Sequence, residues 1–160
     1  MHEPMMEFRP RTWVDRQGRP EPLVWHEAAH ALVGYRLGMR VEFVDMTGAH
    51  APCPSCGLDE TTVPETERAR ATGLAALAGP VGESMANGRD PLWRDDGHVA
   101  HEAARSLAAG VDEQVELVCE WRREARRMLE GDPAYVPLVH VLAERERLTG
   151  EELETFLREI

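Results

Sequence analysis

Apolar residues recur every three or four positions along most of this chain, a period that predicts helices rather than strands. Pro22 suits a helix start and Gly38 a stop, which frames a helix over about 21–37. Val41, Phe43, Val44 and Met46 predict one short strand over about 40–47, and the stretch from Gly48 through Gly57 reads as a loop. Helical spacing returns at Glu65 with the small, apolar stripe Ala71, Leu74, Ala75, Leu77, Ala78, Val81 and Met85, ending near Gly88, with Pro80 as a candidate kink. A loop leads to a helix over about 98–109. The next helix is predicted to bury Val111, Val115, Val118, Trp121, Ala125 and Met128. Pro133 opens another, carrying Leu138, Val141 and Leu142, although Pro137 falls in its first turns. Thr149 and Glu152 have the spacing of a capping box, which launches a last helix with Leu153, Phe156 and Leu157. Residues 1–20 lack periodicity and read as an N-terminal arm, leaving 21–160 as a single, mainly α domain with one small β element.

Composition narrows the class without changing that picture. Hydrophobic residues make up 42% of the 160, and no apolar run approaches the ~20 residues that span a bilayer. The first residues have neither a basic segment nor an apolar one after it, so a cytoplasmic, soluble protein is expected, with no membrane partner. A formal charge of −11 argues against a nucleic-acid partner, which would call for a basic face. The arginines at 122, 123, 126 and 127 alternate with Glu120, Glu124 and Glu130 and read as a solvated helix face.

Chemistry enters with His26-Glu27-Ala28-Ala29-His30, a His-Glu-x-x-His pattern inside the first predicted helix. At 3.6 residues per turn, positions four apart share a face, so both imidazoles can close on one metal ion. Neutral imidazole suits Zn²⁺, and a carboxylate beside the site can take a proton from water acidified by the ion. That assigns His26 and His30 as ligands and Glu27 as general base. A catalytic zinc takes a third protein ligand. Asp95, Asp96, His98 and His101 cluster at a loop-to-helix junction, and Glu83 on the small-residue helix is a further candidate. An Asp before a helix is also a favoured N-cap, so spacing alone leaves the choice open.

The chain resembles the peptidase domain of the FtsH family of ATP-dependent zinc proteases. The family's His-Glu-Ala-Gly-His-Ala is matched by His26 to Ala31, with Ala29 in place of Gly. Its Gly-Gly-Arg-x-Ala-Glu segment is similar to Ala78-Gly79-Pro80-Val81-Gly82-Glu83. The family's Asp, followed by Ala at plus four and plus eight and an apolar residue at plus eleven, is matched by Asp96, Ala100, Ala104 and Leu107. Leu148 to Leu153 resembles a stretch near the end of those domains. The resemblance spans about residues 22–160 and implies a zincin-like helical metallopeptidase fold. It also implies Asp96 as third ligand, with Glu83 either supporting a metal-bound histidine from outside or serving helix packing. It departs at Pro80, where the family has Arg, and in the loop around Cys53. No Gly-x-x-x-x-Gly-Lys-Ser/Thr loop occurs, so ATP-driven unfolding is expected from another protein or not at all.

The implied activity is zinc-dependent hydrolysis of peptide bonds in unfolded or extended segments, independent of ATP for the isolated chain. The strand near 40–47 is expected to pair with such a substrate. The contrasting reading is a zinc-binding interaction or regulatory module of the same fold without hydrolysis. Cys53 and Cys56 have zinc-knuckle spacing with His50 nearby, but a structural zinc there needs a fourth ligand from Cys119 or a second chain. A rigid loop with reduced thiols is the preferred reading.

Overall fold

The computed structural model describes residues 13–48, 54–91 and 94–160. Among the described residues, six α-helices and a three-stranded antiparallel sheet follow one another as α1 (Pro22–Arg36), β1 (Arg40–Asp45), β2 (Ser55–Asp59), α2 (Glu65–Asn87), α3 (Arg94–Leu107), α4 (Val111–Gly131), α5 (Tyr135–Arg145), β3 (Arg147–Thr149) and α6 (Gly150–Arg158). The mainly helical class expected from periodicity is therefore observed, with a larger β component than one strand.

Helix α1 starts on Pro22, whose missing N–H costs nothing in a first turn. It buries Val24, Ala28, Ala29, Ala31, Leu32 and Val33, and Gly38 at φ 91° turns the chain into β1. Helix α2 packs along it. Small residues let the two backbones approach: a Cβ on Gly82 would lie 2.9 Å from the Trp25 carbonyl oxygen and 2.8 Å from Ala29 Cβ. The Tyr135 hydroxyl closes the same corner by donating to that carbonyl over 2.8 Å, its ring set edge-on to Trp25. Pro80 sits inside α2, and Gly88 at φ 69° ends the helix. Leu32, Leu74, Leu77, Leu138, Leu142, Leu148 and Leu153 fill the centre of one apolar core.

The sheet order is β2-β1-β3. Two strands escaped the sequence reading for identifiable reasons. Strand β2 falls partly in the expected loop because Ser55, Cys56, Gly57 and Asp59 have little strand preference. Its pairing comes from β1, where Phe43 is the partner of Gly57 and its ring covers the glycine; a Cβ there would meet Phe43 Cε1 at 2.6 Å. Strand β3 has three residues, too few to show a period. β2 pairs along β1, and β3 takes the other side at 43–45, so among the described residues the strand expected to pair with a substrate keeps a side without a strand at 40–42 alone. Among the described residues, β2 has a neighbour on one side only.

Other expectations shift less. The capping box is present in full, Thr149 Oγ1 accepting from the Glu152 N–H and Glu152 from the Thr149 N–H. Helix α3 begins at Arg94, earlier than expected, which places Asp95 and Asp96 in its first turn. In α4 the buried stripe is Val118, Trp121, Ala125 and Leu129, while Val111 and Val115 are 73% and 48% exposed, because the first turns run past the surface they were expected to cover. The arginine face is solvated as expected, though Glu124 pairs with Arg70 of α2 and Arg122 with Asp90. Residues 13–20, assigned to the arm, carry a buried Trp13 and a bridge between Val14 and Pro20.

Candidate metal centre

Two helices converge on one point. Helix α1 contributes His26 and His30 one turn apart on its inner face, and α3 brings Asp96. His26 Nε2 and His30 Nε2 lie 3.1 Å apart, and Asp96 Oδ2 is 3.0 Å from the first and 3.4 Å from the second. This is the one group of three metal-ligating side chains found among the described residues. The candidates are now separated. Asp95, His98 and His101 are exposed on α3, whereas Asp96 turns inward above the buried Ala100 and Ala104.

The outer nitrogens decide what the inner ones can do. His30 Nδ1 lies 2.7 Å from the Ala75 carbonyl oxygen, which can only accept, so Nδ1 carries the proton and Nε2 presents a lone pair. His26 Nδ1 faces Glu83 Oε2 at 3.4 Å, with the same consequence. Two lone pairs and a carboxylate oxygen therefore meet within a few ångströms. Without a cation between them the arrangement is repulsive. In the free protein a proton serves: burial disfavours charge on His30, but the Asp96 hydrogen bond and the charges of Asp96 and Glu27 outweigh it and raise its pKa to about 9. Asp96, whose partial burial works the other way, is held well below the ordinary carboxylate range by the two histidines.

Two observations test whether a metal ion fits. Ligand atoms about 2.0–2.1 Å from a tetrahedral zinc are separated by about 3.3 Å, close to the three edges seen here. The second is Gly79 of α2. A Cβ at this position would lie 2.3 Å from His30 Nε2 and 2.7 Å from His26 Nε2, so the missing side chain leaves open the space beside both ligand atoms. Donor chemistry, spacing and space all suit a divalent ion of the zinc type.

Glu27 is 7% exposed, between the two histidines in sequence. Burial is the leading cause of a raised pKa, opposed by the charges of His30 and His26 and reinforced by those of Asp96 and Glu83. A carboxylate made more basic in this way suits proton transfer near neutral pH.

The sequence did not reveal Gly79, the Ala75 carbonyl or the cavity flanking the site. That cavity, of about 270 Å³, is bordered by His30 and Asp96 and by Cys56 and Leu58 of β2. Nothing in the sequence signals a backbone carbonyl; Gly79 had a signal, a glycine in the middle of an apolar helix stripe. Cys53 and His50 lie outside the described residues. Burial pushes the Cys56 thiol well up, so it stays protonated, and among the described residues it joins no ligand group with Cys119.

No model of a known protein family matches the chain, and no curated protein matches it. No described helix is long and apolar enough to cross a membrane.

Proposed function

We propose that the chain is a zinc-dependent metallopeptidase of the FtsH-like, zincin type, acting on unfolded or extended polypeptide. The observation that carries the reading is the convergence of His26 Nε2, His30 Nε2 and Asp96 Oδ2 beside a buried Glu27. An ion held by these three ligands would keep one position open, acidify water there and polarise a peptide carbonyl. Glu27, as its carboxylate, takes the proton released by the attacking water and returns it to the leaving amine nitrogen. Ala75 and Glu83 keep the imidazoles oriented through their outer nitrogens. The open edge of β2 suits an extended chain, since backbone pairing there carries a substrate past His30 and Asp96 without reading its sequence. This edge, rather than β1, borders the cavity beside His30 and Asp96.

The test compares wild type with Glu27→Gln, both loaded with zinc and assayed on casein. Cleavage is expected from wild type and should fall by about 10²–10⁴-fold in the variant, the contribution of a positioned general base. Zinc content measured by mass spectrometry should be near one per chain in both and be lost in His30→Ala. Equal rates in the two proteins would remove Glu27 from the mechanism. Bound zinc with no cleavage by wild type would leave a binding module without hydrolysis.

A further inference from the structure

We propose that the cavity beside the metal centre selects a substrate side chain with a long aliphatic stem and a cationic tip, lysine or arginine, on a residue adjoining the cleaved bond. The inference rests on the peptidase reading and names its substrate class. The cavity runs away from His30 and Asp96 between β2 and α2, and at about 270 Å³ it lies just below the usual size of ligand pockets, ~300–1,000 Å³, which suits one side chain rather than a whole small molecule. Its walls are mostly apolar: Met39, Leu58, Ala75 and Ala76 line it beside the Thr72 hydroxyl, and Val99 of α3 stands at the exposed side. Of the polar groups in the wall outside the candidate ligands, the Thr72 hydroxyl carries no charge. The Ala75 carbonyl already accepts from His30, and the Cys56 thiol is neutral.

One charge remains. Glu60, in the short 3₁₀ turn after β2, borders the same cavity, is exposed, and forms no ion pair or side-chain hydrogen bond with the described residues. Asp96 is engaged by both histidines. A leucine or phenylalanine side chain would satisfy the walls and leave Glu60 unanswered, and an acidic one would be repelled. Lysine and arginine bury their methylene stems while keeping the charged head at the water's edge, which matches apolar walls with a carboxylate at the rim. The formal charge of −11 adds a long-range bias toward cationic segments.

Binding can be read without hydrolysis by titrating zinc-loaded Glu27→Gln with alanine-based peptides that differ only in one central residue: arginine, lysine, norleucine or glutamate. Arginine and lysine peptides should bind about fivefold more tightly than the norleucine peptide, the upper range for an exposed ion pair, and the glutamate peptide more weakly still. Adding Glu60→Gln should erase the difference, and Glu60→Lys should turn it toward glutamate. Glu60 is exposed, so neither change threatens the fold. Norleucine binding as tightly as arginine, a preference untouched by Glu60→Gln, or no binding by any peptide would each overturn the proposal. Selective binding with no cleavage by wild type would sink the peptidase reading alone, and cleavage of all peptides without selectivity would sink this inference alone.

Discussion

Gly73 and Gly79 lie six residues apart in α2, and both have a neighbour where a side chain would be. A Cβ on Gly73 would meet the Trp121 ring at 2.4 Å; a Cβ on Gly79 would meet His30 Nε2 at 2.3 Å. The two positions give up the same helix propensity, about 1 kcal/mol relative to alanine. What they gain differs. At Gly73 the space is filled by an apolar ring that is 2% exposed, and the return is packing between α2 and α4. At Gly79 the space adjoins two lone pairs that want a cation. A helical glycine is therefore informative only through what stands opposite it.

The largest break in this comparison should come from Gly79→Ala. The added methyl competes for the volume beside both ligand nitrogens, so zinc affinity measured by competition with a chelator should fall by more than about a hundredfold, beyond the usual loss from disturbing a supporting residue. The helix itself gains propensity, and the metal-free protein should keep its circular dichroism spectrum. Retained zinc affinity would show that the space beside Gly79 is not the ion's. A smaller loss, about 10–100-fold, is expected from Glu83→Gln, which weakens the partner of His26 Nδ1 while leaving all three ligands in place.

The counterpart is Gly73→Ala. Overpacking a filled core costs about 1–3 kcal/mol, offset by the propensity gain of about 1 kcal/mol, so chemical denaturation should show a net loss of up to about 2 kcal/mol with zinc affinity unchanged. A zinc defect in this variant would mean that the two positions in α2 are coupled and that the contrast between them is false.

Much of this arrangement was legible in the sequence where a local rule carried it. His26, Glu27 and His30 follow from helix geometry alone, and Thr149 and Glu152 from capping chemistry. Asp96 was one of several acidic and histidine residues at a helix start; the sequence supplied the set, and the resemblance chose the member that the fold turns inward. What stayed hidden depends on contacts far apart in the chain. Strand β2 exists because Phe43 covers Gly57 across the sheet, the Ala75 carbonyl acts on a histidine 45 residues away, and Val111 and Val115 keep a helical period while staying exposed. Periodicity reports that a face is apolar, and only the tertiary fold reports whether that face has a partner.

The smallest expected effect per step is a pH dependence that separates the two regions. The His30 pKa rises from 6.5 to about 9 in the free protein: burial lowers it, and the Asp96 hydrogen bond, the Asp96 and Glu27 charges and the Ala75 carbonyl more than reverse this. Because the folded value lies above the unfolded one, the stabilisation from this cluster is fully present below pH 6.5 and is lost as the pH rises through about 9. A metal ion competes with the same proton, so its affinity has the opposite trend, climbing about tenfold per pH unit and levelling near 9. Calorimetry in buffers of different ionisation enthalpy between pH 6.5 and 8.5 should detect about one proton released per zinc bound. Neither Gly73 nor Trp121 titrates, so the destabilisation of Gly73→Ala should be the same at every pH in that interval. A flat zinc affinity would mean that His30 is already neutral, and that the free protein tolerates facing lone pairs for which the site geometry demands a cation.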